Sequence, residues 1–271
     1  MPKGHAEFDE IGCWSELKLE IVKDYASAYS KILTAKNLPH VYIDAFAGPG
    51  IHISRETGKF VPGSPTNALA VSPPFNKYYL VDLDASRAET LQEFVCNRSD
   101  VHIEAGDCNQ VLVKKIFPTL GYKTYRRALC LLDPYGLQLD WSVIFQAGQL
   151  GTVDMFLNFP VMDMNRNVLW RNPDKVPPKR LERMNAYWGD SSWQNVAYSS
   201  QWNLFGEREK ESNEAVVEGF RQRLIQVAGF KRVPEPLPMR NKKNAVVYYL
   251  FFASQVEVAD KIVRDIFKKY R

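Results

Sequence analysis

Four times between residues 41 and 133 a short run of β-branched and aromatic residues gives way to an aspartate, and no other feature constrains the fold as strongly. The runs are V-Y-I before Asp44, K-Y-Y-L-V before Asp82, V-H-I-E-A before Gly106-Asp107, and R-A-L-C-L-L before Asp133. A fifth run, Val153 to Phe159, has no such acid. Each has strand length and enough apolar character to be buried on both faces. Ala85 to Asn97 reads as a helix behind the second run, and another helix follows Gly106-Asp107-Cys108-Asn109 as far as Phe117. Strands alternating with helices predict a parallel sheet with right-handed crossovers. In such sheets ligands bind beyond the carboxyl ends of the strands, which is where the four acids stand.

The first run continues as D-x-F-x-G-x-G through Asp44, Phe46, Ala47, Gly48, Pro49 and Gly50, and its glycines permit a sharp turn against a ligand. Position 53 is Ile rather than a third glycine, which argues against a nicotinamide dinucleotide. Residues 51 to 62 read as a long loop of the kind that covers a ligand. Ser64 is expected as the N-cap, and Pro65 as the first residue, of a helix to about Val71. Apolar residues at helical spacing from Leu17 to Leu33 predict an amphipathic helix over 14–35. Near the C-terminus, Phe230–Pro238 and Ala245–Ala253 are expected to pair as an antiparallel edge hairpin, between a helix over Ser212–Ala228 and one over Val256–Tyr270. The fold class is thus α/β, Rossmann-like, with a mostly parallel seven-stranded sheet. A single domain over 1–271 is expected, with residues 160–209, rich in Asn, Arg and Trp, inserted on the ligand side.

A chain of 271 residues can bury a substantial core, and no apolar run approaches the roughly 20 residues that span a bilayer. The first ten residues lack the apolar stretch of a signal peptide, so a cytoplasmic protein with no membrane partner is expected. Cys13, Cys96, Cys108 and Cys130 are scattered, with no C-x-x-C pair, and support neither a structural metal nor a disulfide framework. Residues 160–271 hold 20 Lys and Arg against 13 Asp and Glu, whereas residues 1–159 hold 15 against 18. That asymmetry suits a polyanionic substrate, and it equally suits solvated surface helices.

The D-x-F-x-G-x-G loop resembles the first motif of S-adenosylmethionine-dependent methyltransferases, especially those acting on exocyclic amines of nucleic-acid bases. On that resemblance Asp82 would accept from the ribose hydroxyls, and Asp107, beside Cys108, from the adenine amine. Asp44 and Phe46 would lie by the methionine end, whose tail the backbone from Ala47 to Gly50 would wrap. Asp133-Pro134-Tyr135 is the candidate reaction centre: the carboxylate and the Pro134 carbonyl would hold the amine hydrogens, and Tyr135 would stack on the base. Gly136, Arg166, Trp170 and Arg171 are the candidate substrate contacts. Any single one of these acids would also serve as a helix N-cap.

Several stretches together resemble the three-Cys-motif partner proteins (TcmP). They are K-L-E-I-V-K-D-Y (Lys18 to Tyr25), Y-I-D-A-F-A-G-P-G (Tyr42 to Gly50), Gly63-Ser64-Pro65, Y-Y-L-V-D-L-D, G-D-C-N, L-D-P-Y-G and the late Y-Y-L-F-F-A-S. The resemblance implies a class I methyltransferase fold, S-adenosylmethionine as cofactor, and a separate partner protein bearing the three-cysteine motif. The D-P-Y-G run departs from the D-P-P-Y of adenine amine methyltransferases and sits closer to the D-P-F-G of a transfer-RNA guanosine dimethyltransferase group. The expected function is methyl transfer to an exocyclic amine of a nucleic-acid base or nucleotide. The alternatives are a catalytically silent methyltransferase-fold partner of a three-cysteine-motif protein or nucleic acid, and a magnesium-dependent nuclease or nucleotide hydrolase.

Overall fold

The computed structural model describes residues 8–96, 98–202 and 208–271. A two-residue strand β1 (Glu10–Ile11) leads into the long helix α1 (Cys13–Ala35) and then β2 (His40–Asp44). Strands β3 (Ile51–Ser54) and β4 (Phe60–Pro62) precede helix α2 (Ser64–Leu69). The alternating part follows as β5 (Lys77–Asp82), α3 (Ala85–Phe94), β6 (Val101–Ala105), α4 (Cys108–Val111), β7 (Arg127–Leu132), α5 (Trp141–Leu150) and β8 (Val153–Phe159). Three helices come next, α6 (Val161–Asn167), α7 (Pro178–Trp188) and α8 (Trp193–Ala197), with the pair β9 (Tyr198–Trp202) and β10 (Arg208–Lys210). The chain closes with α9 (Asn213–Gln226), β11 (Leu237–Arg240), β12 (Val246–Ala253) and α10 (Glu257–Lys269).

Seven strands form the main sheet in the order β11-β12-β8-β7-β2-β5-β6. Strands β8, β7, β2, β5 and β6 are parallel, β12 runs antiparallel to β8, and β11 runs antiparallel to β12. This is the expected mostly parallel sheet with an antiparallel edge hairpin. Every residue of β2 and β8 is buried, because helices cover both faces. One face carries α1, α3 and α10, packed through Tyr25, Leu91 and Val263; the other carries α5 and α9, packed through Ile144 and Phe220. From β2 the chain proceeds outward to β5 and β6, then returns to place β7 on the other side of β2. The carboxyl ends of β2 and β7 therefore flank the topological switch point, where a crevice must open.

Four local expectations are corrected. Residues 51–62 form the hairpin β3–β4, which β1 joins in parallel to make a three-stranded sheet. Gly63 rather than Ser64 is the N-cap of α2, which stops at Leu69, and the Ser64 hydroxyl goes to Asp44 instead. The stretch from Phe230 becomes a strand only at Leu237; Pro234 and Pro236 cannot donate to a ladder, and one bridge from Arg232 to Ser254 stands in for it. Helix α3 ends at Phe94 rather than Asn97, which lies outside the described residues, as do residues 203–207 of the insertion. Within residues 160–209 Trp188 and Trp193 are fully buried. No helix among the described residues is long and apolar enough to cross a membrane.

Candidate active site

Asp44 ends β2 at the switch point and is completely buried. Its carboxylate accepts the Phe46 amide at 3.3 Å, the Tyr42 hydroxyl at 3.4 Å and the Ser64 hydroxyl. Burial outweighs these donors and raises its pKa to about 7. The chain then turns through Gly48, at φ +62°, where the backbone amide donates 2.8 Å to Asp82. The other Asp82 oxygen accepts the Asp84 amide at 2.8 Å, so the acid ending β5 locks the loop that follows β2. Asp84 itself caps α3 through the Ser86 amide. Gly50 offers its carbonyl to the Gly63 amide at 2.8 Å and the Thr66 hydroxyl at 2.5 Å. A Cβ on Gly63 would lie 2.8 Å from that carbonyl oxygen, which is why G-S-P begins with glycine.

Two clefts open along this edge and share Phe46 and Tyr135 as their dividing wall. The first, about 360 Å³, is lined by Asp82, Asp107, Cys108 and Asp140, with Arg183 at its border. Asp107 is exposed and caps α4 by accepting the Asn109 amide at 2.9 Å. Asn109 ties the neighbouring loop in place, donating 3.0 Å to the Gln138 carbonyl and accepting the Asp140 amide at 2.8 Å. Burial, and then the charge of Asp107, pushes the Asp140 pKa above the usual carboxylate range. The cleft thus presents three carboxylates suited to hydroxyl and amine donors.

The second cleft, about 340 Å³, holds Asp133, Pro134, Tyr135 and Gly136 with Lys18, Asn158 and Arg166. Asp133 does not cap a helix. One of its oxygens pairs with Lys18 and the other accepts the Asn158 side-chain amide at 2.9 Å. Lys18 is only 5% exposed, and its ammonium lies 5.6 Å from the centre of the Tyr248 ring. Donation to Asp133 fixes the Asn158 amide so that its oxygen faces the other way. That oxygen is buried without a partner, at a residue lining the cleft. An orphaned acceptor costs about 1–3 kcal/mol, so it marks where a donor belongs. His52, which also lines the cleft, has an unpartnered Nδ1, and burial lowers its pKa. Gly136 sits at φ +60°, and a Cβ there would meet Asp163 at 2.8 Å.

Tyr135 is 59% exposed; its hydroxyl donates 3.2 Å to Asp9 and accepts from Arg87 at 3.3 Å. Arg87 closes the triangle by pairing with Asp9 at 3.0 Å. This triangle straps the segment before β1 across the wall between the clefts.

Among the residues singled out in the sequence, the clefts gather Phe46, Gly48, Asp82, Asp107, Cys108, Asp133, Pro134, Tyr135, Gly136 and Arg166. Asp44, Ala47, Pro49 and Gly50 are buried behind them and shape the loop. Trp170 and Arg171 line neither cleft. The Trp170 indole donates 2.9 Å to the Arg166 carbonyl and lies under the Arg180 guanidinium, while Arg171 is exposed. Sequence reasoning missed Lys18 and Asn158 as site residues. Among the described residues, no three His, Cys, Asp or Glu side chains converge as metal ligands.

No family model and no curated protein matches this chain. Its shape has counterparts among solved structures. Protein LPL1258 from Legionella pneumophila, of family DUF519, aligns over 93% of this chain and 92% of its own, with a TM-score of 0.53 and 13% identity. The methyltransferase domain of a bacterial CtHen1 aligns over 86% and 99%, with a TM-score of 0.42 and 11% identity. An S-adenosylmethionine-dependent methyltransferase from Mesorhizobium loti aligns over 83% and 97%, with a TM-score of 0.40 and 10% identity. Its strand order, with a single antiparallel strand beside the edge, gives this chain the Rossmann-like fold of class I methyltransferases.

Proposed function

We infer that the chain is an S-adenosylmethionine-dependent methyltransferase acting on an exocyclic amine of a nucleic-acid base or nucleotide. The observation that carries this reading is the pair of clefts joined at Phe46 and Tyr135, one lined with carboxylates and the other holding Asp133, Pro134 and Asn158. The residues fit the cofactor. Asp107 is exposed with one oxygen uncommitted, suited to an adenine amine, and Asp82 keeps further lone pairs for ribose hydroxyls beyond the two amides it holds. A Cβ on Gly48 would find only His52, at 3.8 Å, so the turn leaves open space on that side for a tail.

S-adenosylmethionine, when bound, supplies an electrophilic methyl group. The protein's own part is orientation. The Asp133 carboxylate and the Pro134 carbonyl would accept the two amine hydrogens and turn the nitrogen lone pair toward the neighbouring cleft. Lys18 and the Asn158 amide hold the Asp133 carboxylate in one position, so no reorganisation is needed at the moment of reaction. Tyr135 presents an exposed ring at the wall between the clefts, suited to stacking on a base. A strong base is not required, because the amine proton leaves after transfer.

A second reading, a catalytically silent partner of a three-cysteine-motif protein or nucleic acid, draws support from Asp133, whose two oxygens are both already engaged. Calorimetry with S-adenosylmethionine and transfer of labelled methyl to a panel of RNA, DNA and nucleotides separate the two. The enzyme reading expects binding that Asp107→Ala weakens at least about tenfold, and label that Asp133→Ala abolishes. Absence of binding by the native protein rejects the enzyme reading; binding without label on any member of the panel selects the silent partner.

A further inference from the structure

The turn of the β3–β4 hairpin carries Arg55 and Lys59, with the 69% exposed Phe60 opening β4, and the turn between β11 and β12 carries Lys242 and Lys243. These turns are far apart in sequence, yet an ion pair between Lys242 and Glu56 joins them into one lip. The lip borders the Asp133 cleft, since His52 of β3 and Val247 and Tyr248 of β12 line it. Across the mouth stands Arg166 of α6, and Arg183 of α7 borders the adjoining carboxylate cleft; both are exposed. Lys59, Lys243, Arg166 and Arg183 make no ion pair among the described residues. Unneutralised cations distributed around a pair of adjoining clefts form an electrostatic footprint for a polyanion.

Building on the methyltransferase reading of this cleft, we propose that its substrate is single-stranded polynucleotide, whose phosphates rest on these two lips while one base descends to Asp133 and Asn158. The depth of the site favours a single strand, from which a base is extruded at the least cost. Lys18 is almost wholly buried and the Asp133 side chain is 26% exposed, so a base can reach them only when extruded from any stack. Phe60 beside Lys59 pairs a stacking face with a phosphate contact, the combination single-strand binders use. A free nucleotide would engage the reaction centre without needing the lips.

The test is fluorescence anisotropy with labelled RNA and DNA oligonucleotides of roughly 12 nucleotides, measured without cofactor so that its outcome is independent of methyl-donor binding. Four phosphate contacts predict that affinity falls about 50-fold between roughly 50 and 200 mM salt. Lys59→Glu with Lys243→Glu leaves two contacts and reduces that fall to about sevenfold. Lys31→Glu with Lys36→Glu, at the opposite end of α1, changes the net charge equally and should leave binding as it was. A preference for RNA or DNA identifies the sugar, and a base-paired hairpin should bind more weakly than either. The proposal is overturned if the native protein shows no salt-sensitive binding, or if the two charge reversals act alike.

Discussion

Replacing Asp44 by asparagine should make the protein harder to unfold, but only where the native carboxylate is forced to carry charge. The Asp44 carboxyl has an ordinary pKa of 3.8 and in the fold titrates at about 7, because no part of it reaches solvent. A difference of about three units corresponds to roughly 4 kcal/mol at about 1.36 kcal/mol per unit. The sign follows from linkage. A carboxyl whose pKa is raised by folding adds stability that is complete below the unfolded value and is lost as pH climbs toward the folded one. The native protein therefore loses up to that amount between about pH 4 and pH 8, and the variant does not. Asparagine keeps an oxygen for the Phe46 amide and gains a donor for Ser64, so the local bonding survives. The expected gain at pH 8 is roughly 2–4 kcal/mol, or about 5–10 °C in Tm for a chain of this size, shrinking toward zero near pH 4. Thermal melts of both proteins in matched buffers at unit pH steps measure it directly, and other titrations cancel in the difference. A gap that does not change with pH, or a variant less stable at pH 8, would refute the claim that uncompensated burial dominates this carboxyl.

Three further outcomes follow from the same geometry. Lys18→Met strands Asp133 in a partly buried site and should cost roughly 1–3 kcal/mol in chemical denaturation, most of it recovered when Asp133→Asn is added; additive single effects would contradict the pairing. Gly136→Ala forces a left-handed backbone on alanine and pushes Asp163 aside, so its Tm should fall by several degrees, about 1–3 kcal/mol; an unchanged melt would mean the loop relaxes freely. Tyr135→Phe removes two hydrogen bonds from an exposed ring and should leave global stability within about 0.5 kcal/mol. It should nevertheless speed amide exchange at Glu10 and Ile11 several-fold, and equal exchange would show that β1 is held without the strap.

The central parallel strands were legible because burial on both faces leaves a simple record. The limits expected for β5, β6, β7 and β8 coincide with those observed, although the edge strand β6, V-H-I-E-A, is fully buried only at Val101 and was marked by its length and the Gly-Asp turn that closes it. Elements whose partners come from elsewhere were not legible. I-H-I-S and F-V-P are short and half-exposed, and they pair with one another and with β1 at the rim of the sheet. Helix α5 went unassigned, and it tolerates Gly148 in its interior because any side chain there would overlap the Ala228 carbonyl. Ser64 illustrates competition: locally it has the chemistry of a cap, but the buried Asp44 claims its hydroxyl and glycine takes the cap position. At the site, the strand-end acids were found as a pattern, while their individual duties were decided by tertiary contacts. Asp82 braces the loop, Asp84 and Asp107 cap helices, and Asp133 meets a lysine from the first helix.

That lysine left a trace of a different kind. Lys18 stands four residues before Val22, seven before Tyr25 and eleven before Tyr29, which places it on the buried stripe of α1 rather than among the solvated charges between. A lysine in that register is costly unless a counter-charge meets it, and an aspartate ending a central strand without a helix to cap is an equal misfit. Each anomaly answers the other across 115 residues of sequence. The pair therefore ties Asp133 to two independent parts of the fold: α1 positions the ammonium, and β12 supplies the Tyr248 ring beneath it. Loosening the C-terminal hairpin should therefore disturb Asp133 as surely as changing β7 itself, although neither β11 nor β12 bears any of the strand-end acids.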